Sequence, residues 1–274
     1  MNVNRRSAVK TIGTLGITGT LISRESAGQT RKRKALALFG DGAHKYEMIH
    51  EAIEKNIAQE TDISIDFTKD TSVLNPSTLA KYQILINARG YIRGVTTDKR
   101  TEMARTVQTF VKNGGGILLL HNSTGLARST GTPIFRDIVG GHWLQHSGNL
   151  AESVSIRPYR VRITNNEHPI TQGVKDFVVT GEHHYNQYDK DPRHVFLRNE
   201  TIDGWAYNNI KGDPHYDERL GDRGFGPSCP SGWAYDYGKG RVCFMAQGHT
   251  LEEYMNEEFR KLQKNGALWV LKQL

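Results

Sequence analysis

Cysteine is almost absent from this chain. Cys229 and Cys243 are the two in 274 residues, and their spacing fits no thiolate metal site. A disulfide between them and a pair of buried free thiols both remain open. Neither is placed as a nucleophile, since Cys243 falls inside an apolar strand and Cys229 in a loop-like stretch. Internal repeats and low-complexity tracts are missing. So is a phosphate-binding loop: Gly114, Gly115 and Gly116 precede a strand, whereas such a loop joins a strand to a helix and carries Lys-Ser/Thr. No Gly-x-Ser-x-Gly elbow occurs. The body also lacks an excess of charge of one sign. The formal charge is +7, and the first 34 residues account for all of it with eight basic side chains and one acidic one. The rest carries 28 of each, which excludes a global nucleic-acid-binding surface.

That basic start has the form of a targeting segment. Asn4-Arg5-Arg6-Ser7 resembles a twin-arginine export motif, and the apolar run Thr11–Ile22 behind it is too short for a transmembrane helix. Ser26-Ala27-Gly28 offers small residues for cleavage before Gln29. The expectation is an export signal over 1–28 and a mature domain over 29–274, periplasmic or otherwise exported, with no membrane anchor after cleavage. Lys32-Arg33-Lys34 reads as a solvated lead-in to the first strand.

What is present is a βα alternation around one central stretch. Val111 to Asn122 runs as a helix end, three glycines, the apolar run Ile117–Leu120, then His121 and Asn122. Four apolar residues between turn signals predict a strand buried on both faces. Ala35–Phe39 and Gln83–Asn87 repeat the pattern, and Ile63–Phe67 alternates like a strand. Between them, Ile49, Ile53 and Ile57 share a helix face, Asn75-Pro76 opens a short helix, and Thr97 caps a helix carrying Met103, Val107, Phe110 and Val111. Strands alternating with helices predict right-handed crossovers and a parallel sheet. After Pro133 the chain turns β-rich. Residues 208–232 read as a loop, Gly240–Ala246 as a late strand, and Glu252–Leu274 as a terminal helix.

Several polar residues lie just beyond apolar strands: His44, His121, Glu182 with His183 and His184, and His249. Open parallel sheets bind ligands at the carboxyl ends of their strands. Imidazoles with one carboxylate suit a metal ion or proton transfer. His142 and His146 would share a face if they lay on a helix. His168 before Pro169 is turn chemistry, and His215 sits in a polar loop.

The ordered set of motifs resembles one family. Gly114–His121, Phe135–Gly141 with His146, Glu167–Thr171, Gly181–Asn186, and Gly238–Val242 followed by Gly248-His249 are similar to the ThuA-like, trehalose-utilisation proteins, over about Lys34 to Leu274. The resemblance implies a flavodoxin-like, class I glutamine-amidotransferase-like α/β fold: a mostly parallel sheet flanked by helices, with β-rich additions in the second half. Amidotransferases place a cysteine at the turn after the central strand. His121-Asn122 stands there in this chain, so glutaminase activity is not expected. Gly248-His249 with Glu252 or Glu253 resembles the late His and Glu of that arrangement.

The family association with disaccharides, near oxidoreductases that make 3-keto sugars, implies a carbohydrate-active lyase or hydrolase on a 3-keto or related glycoside. His121, Glu182 and His249 are the expected catalytic or metal-ligating groups. His44 and His146 would complete the site toward substrate, and Tyr185, Trp205 and Trp233 would stack on sugar faces. A divalent ion, zinc or similar, is the expected cofactor, with no nucleotide. The alternative is a non-catalytic carbohydrate-binding or scaffold protein on the same fold.

Overall fold

A computed structural model describes residues 33–42, 44–129, 132–146, 156–203, 207–209, 211 and 223–274. The expected export signal, Trp205 and His215 lie outside these residues.

The first half alternates as its apolar patterning requires. Strand β1 (Lys34–Leu38) leads to α1 (Tyr46–Ile53), which continues through a π turn at Glu54–Ala58. Then come β2 (Ser64–Thr68), α2 (Pro76–Leu79), β3 (Ile84–Asn87), α3 (Thr97–Lys112) and β4 (Gly116–Leu120). Thr96, one residue earlier than expected, caps α3 by accepting from the Lys99 N–H at 3.3 Å. The second half holds α4 (Gly125–Ser129), α5 (Pro133–Val139), β5 (Gly141–His146), β6 (Ile156–Ile163), β7 (Phe177–Glu182) and β8 (His184–Tyr188). It ends with β9 (Val195–Thr201), β10 (Tyr207–Asn209), β11 (Arg223–Gly226), β12 (Ser228–Tyr237), β13 (Gly240–Met245), α6 (Leu251–Met255) and α7 (Glu257–Val270).

Nine strands form one sheet in the order β2-β1-β3-β4-β13-β12-β9-β6-β7. The pairings from β2 to β13 are parallel, and those from β13 through β12, β9 and β6 to β7 are antiparallel. The expected α/β architecture is therefore present, with a parallel core built first and antiparallel strands added from the second half. β1, β3 and β4 bury both faces. Ala35, Ala37, Ile84, Ile86, Leu118 and Leu120 face one core, together with Ile49 and Ile53 of α1 and Phe259 and Leu262 of α7. Leu36, Leu38, Leu85, Ile117 and Leu119 face the other, with Met103 and Val107 of α3 and Phe135 of α5. Alternation at period two on a sheet covered on both sides produces this division.

Two expectations need correction. The stretch 208–232 contains the start of β12, not a continuous loop. Pro230 and Gly232 disguise that strand: its ladder with β9 slips at these residues, and the irregularity accommodates a residue without an N–H. The terminal helix is two helices, because Asn256 ends α6 and caps α7 by accepting from the Glu258 and Phe259 N–H groups.

Candidate metal centre

The carboxyl ends of β1, β3, β4 and β13 are tied together before any ligand is considered. Asp41, three residues past β1, is buried and accepts from the Gly90 N–H at 3.0 Å and from Asn122 Nδ2 at 2.9 Å. Ser123 donates to the carbonyls of Asn87 and Leu120. These bonds fix a 3-10 turn, His121–Thr124, directly after β4. His121 enters that turn with φ at 47°, a left-handed conformation that costs a non-glycine residue about 1–3 kcal/mol. Its ring is anchored at Nδ1, 2.9 Å from the Ala246 carbonyl beyond β13.

The carboxylate arrives from the far edge of the sheet. Past β13, Gly248 turns the chain at φ 122°, a conformation open to glycine, and Thr250 opens α6 with a capping box to Glu253. The buried Glu253 carboxylate accepts from Tyr159 Oη, from the His249 N–H at 2.7 Å and from the Thr250 N–H at 3.2 Å. It occupies the space where Gly181 would carry a Cβ, only 2.0 Å from the Glu253 carboxyl carbon. The missing side chain lets β7 lie against α6, and the next residue, Glu182, is delivered to His249.

Glu182 Oε2 becomes the centre of an imidazole cluster. It lies 2.9 Å from His249 Nδ1, 3.3 Å from His146 Nε2, 3.4 Å from His184 Nε2 and 3.7 Å from His121 Nε2. His146 and His184 face each other as paired residues of the β5–β8 ladder. His44 completes the group, its Nε2 3.1 Å from His121 Nε2.

The hydrogen-bond partners decide the tautomers of two rings. A carbonyl oxygen accepts only, so His121 carries its proton on Nδ1. His44 Nδ1 lies 3.1 Å from a carboxylate oxygen of Asp41, so its proton is also there. In their neutral forms the two Nε2 atoms therefore meet lone pair to lone pair at 3.1 Å. That contact is repulsive unless the two nitrogens share a proton or bind one cation. A ring N–H held by a carboxylate or carbonyl while the other nitrogen points inward is the usual support of a metal-binding histidine.

The donor atoms of His44, His121, Glu182 and His249 all lie within 4.8 Å of one another. Nitrogen and carboxylate donors without thiolate suit zinc or a similar divalent ion. These residues fit a metal. Replacing Asp41 by Asn would release the His44 tautomer, and a loss of about 10–100-fold in zinc affinity is expected. Isothermal titration on the folded variant checks this. An unchanged affinity would show that Asp41 does not orient His44.

The ThuA family model, described as trehalose utilisation, matches residues 34–270. The chain belongs to the ThuA family. Among solved structures it is similar to a ThuA-like protein from Parabacteroides merdae, at 16% identity and a TM-score of 0.64, with 88% of this chain and 90% of that one covered. A ThuA-like protein from Bacteroides uniformis gives 20% identity and a TM-score of 0.62, with 90% and 94% covered. The β-galactosidase of Bacillus circulans shares the fold over 88% of this chain and 30% of its own length, at 12% identity and a TM-score of 0.50. No curated protein matches this ThuA-family chain in sequence.

Electrostatics in this ThuA-family site follow from burial and from the mutual proximity of the rings. Burial pushes His121 and His184 below the ordinary imidazole value and outweighs the attraction of Glu182. It takes His146 down to about 3. Burial would raise the Glu182 carboxyl, but the imidazoles of His184, His249 and His146 hold it well below the usual carboxylate range. Burial pulls His249 down as well, yet Glu182 and Glu253 outweigh it and leave the ring above its ordinary value.

The structure brings His44, His121, His146, Glu182 and His249 together. Tyr185 and Trp233 need correction. Both are fully buried, with Tyr185 Oη donating to the Gly226 carbonyl and Trp233 Nε1 to the Val139 carbonyl, so neither offers a face to a sugar. Trp143, partly exposed with its ring 4.9 Å from His146, is the aromatic that borders the cluster. His142 and His146 lie on a strand instead of a helix, and a bulge between Trp143 and Gln145 breaks their shared register. Asp41 and Asn122 were not picked out as site residues, and His184 was grouped with His183 and given no role of its own. Period-two alternation could have found His184: it puts Glu182 and His184 on one side and His183 on the other, beside Tyr159 and Cys229. Both cysteines are free and buried, and no disulfide joins them.

Proposed function

We propose that this chain is a metal-dependent enzyme acting on a 3-keto or related disaccharide or glycoside. The observation that carries the reading is the pair of Nε2 lone pairs of His44 and His121, 3.1 Å apart, with both Nδ1 protons already committed. His44, His121 and Glu182 would hold the ion, the three-ligand arrangement that leaves positions open for substrate. When bound, a divalent ion supplies Lewis acidity to a sugar carbonyl or hydroxyl oxygen.

The remaining chemistry belongs to the protein. A carbonyl at C3 of a glycoside acidifies the proton at C2. Once His249 in its neutral form has taken that proton, the electrons form a C1–C2 double bond, the C3 carbonyl is restored and the glycosidic oxygen leaves C1. The departing oxygen needs a proton. His249 is the most exposed imidazole on Glu182, with a quarter of its side chain open, and Glu182 favours its protonated form. It can give that proton. Hydrolysis of the same glycoside is the competing outcome. The family's description as trehalose utilisation supports the substrate class, and the twin-arginine-like start supports export with the ion already in place.

Residues 29–274, purified and assayed for metal by mass spectrometry, are expected to hold a near-stoichiometric divalent ion that His44→Ala and His121→Ala each lose. A panel of 3-keto disaccharides should be turned over, and a chelator should stop it. An unsaturated keto sugar as product means elimination; a free 3-keto sugar means hydrolysis. Sugar binding without turnover on any member would make the protein a binding module. Absence of metal after reconstitution with zinc would remove the metal-dependent reading.

A further inference from the structure

Around Glu182 there are more donors than one ion uses. Six side chains converge there: His44, His121, His249, His146, His184 and Glu182 itself. Their donor atoms fall into two sets, each mutually within 4.8 Å, and Glu182 is the member common to both. The first set is the one already assigned. The second comprises His146 Nε2 and His184 Nε2, 3.3 and 3.4 Å from Glu182 Oε2. Zinc in a protein takes four ligands, and His44, His121 and Glu182 with one open position fill that number.

A single carboxylate oxygen is crowded by this surrounding. Oε2 has two lone-pair directions, and four imidazole nitrogens lie within 3.7 Å of it. One of them, His121 Nε2, has no proton to donate, because its proton is on Nδ1. Two cations, one along each lone-pair direction, resolve the crowding. The rings are arranged around that oxygen: His121, His184 and His146 stack in sequence with centroids 4.4 and 4.7 Å apart, each with its Nε2 toward Glu182 Oε2. His184 is fully buried, and its Nδ1 and that of His146 have no hydrogen-bond partner among the described residues. Neither ring is held at Nδ1, so each turns on its Nε2 contact with Glu182 Oε2.

We infer that the centre is dinuclear: His146 and His184 hold a second divalent cation, and Glu182 bridges it to the ion held by His44 and His121. This rests on the metal-dependent reading above and extends it. Two-metal sites space their ions about 3.5–4 Å apart. Such a pair matches two adjacent oxygens of one sugar ring, so the substrate class it favours is a vicinal hydroxy-ketone and not an isolated hydroxyl.

The test uses the full mature chain and two probes, zinc for stoichiometry and manganese(II) for spin coupling. Dialysis with zinc is expected to leave two ions per chain in the wild type and one in His146→Ala and in His184→Ala. The manganese-loaded wild type is expected to show an exchange-coupled pair by electron paramagnetic resonance, and the variants an isolated ion. One ion per chain in the wild type, unchanged in the variants, overturns the second site and leaves the single-ion reading intact. Two ions without coupling overturn it as well, since the second then lies elsewhere. No bound ion overturns both readings. If either variant misfolds by circular dichroism, the wild-type stoichiometry and coupling decide the question without it.

Discussion

Glu182→Gln is expected to lower divalent-metal affinity by more than ~100-fold and to remove turnover of the keto-glycoside. Loss of a group that merely orients a ligand costs about 10–100-fold in affinity, and Glu182 is a charged ligand candidate common to both donor sets. The change is isosteric, so packing is kept while the negative charge is lost. Four imidazole nitrogens within 3.7 Å then face an amide. Its oxygen attracts a cation far less than a carboxylate does, and its NH2 group repels one. A second readout follows from the sign of the His249 shift. Glu182 raises that imidazole above its ordinary value, so in the variant its titration should move to lower pH. Calorimetry with zinc and nuclear magnetic resonance of the His249 ring measure the two effects. Wild-type zinc affinity in a folded Glu182→Gln protein would place the ion elsewhere.

Gly181→Ala carries the other large effect, this time on stability. The added Cβ would sit 2.0 Å from the Glu253 carboxyl carbon and 2.1 and 2.3 Å from its oxygens. A flexible exposed carboxylate would swing aside. This one is buried, and its oxygens accept from Tyr159, His249 and Thr250. Burial also pushes its carboxyl up to about 7. Overpacking costs about 1–3 kcal/mol and a lost helix cap about 1 more. At about 2–4 °C per kcal/mol for a domain of this size, Tm should fall by roughly 5–15 °C. Thermal unfolding in chelator isolates this from metal binding. In Gly181→Ala/Glu253→Ala the clash is absent, so the two substitutions should be strongly non-additive. A Tm within about 2 °C of the wild type for Gly181→Ala alone would show that β7 and α6 are less rigidly docked than the geometry requires.

Much of this was legible in the order of residues, and for a consistent reason. Ala35–Phe39, Gln83–Asn87 and Ile117–Leu120 are short apolar runs between turn signals, and burial on both faces of a parallel strand leaves little else they can be. His44 and His121 could be nominated because position after a parallel strand is a local property that maps onto one edge of the sheet. The histidine at the turn after the central strand was also legible from sequence alone. Tyr185 and Trp233 were misread because an aromatic side chain looks the same in sequence whether its polar atom meets a sugar or a buried carbonyl. The β12 strand was hidden because Pro230 and Gly232 are turn residues by local chemistry, and only the neighbouring β9 reveals the slip that accommodates them.

The sequence by itself determined the parallel core, the family and the pool of imidazoles, since each depends on periodicity or on residues close together in the chain. The tertiary structure decided how that pool is used. Glu182 ends an edge strand of a nine-stranded sheet and reaches His121 only because Gly181 lets Glu253 pass beneath it. His44 and His121, 77 residues apart, become a lone-pair-facing couple only once Asp41 and the Ala246 carbonyl accept hydrogen bonds from their Nδ1–H groups. Those are contacts between distant segments, set by sheet order and by the space one glycine leaves, and no local pattern encodes them.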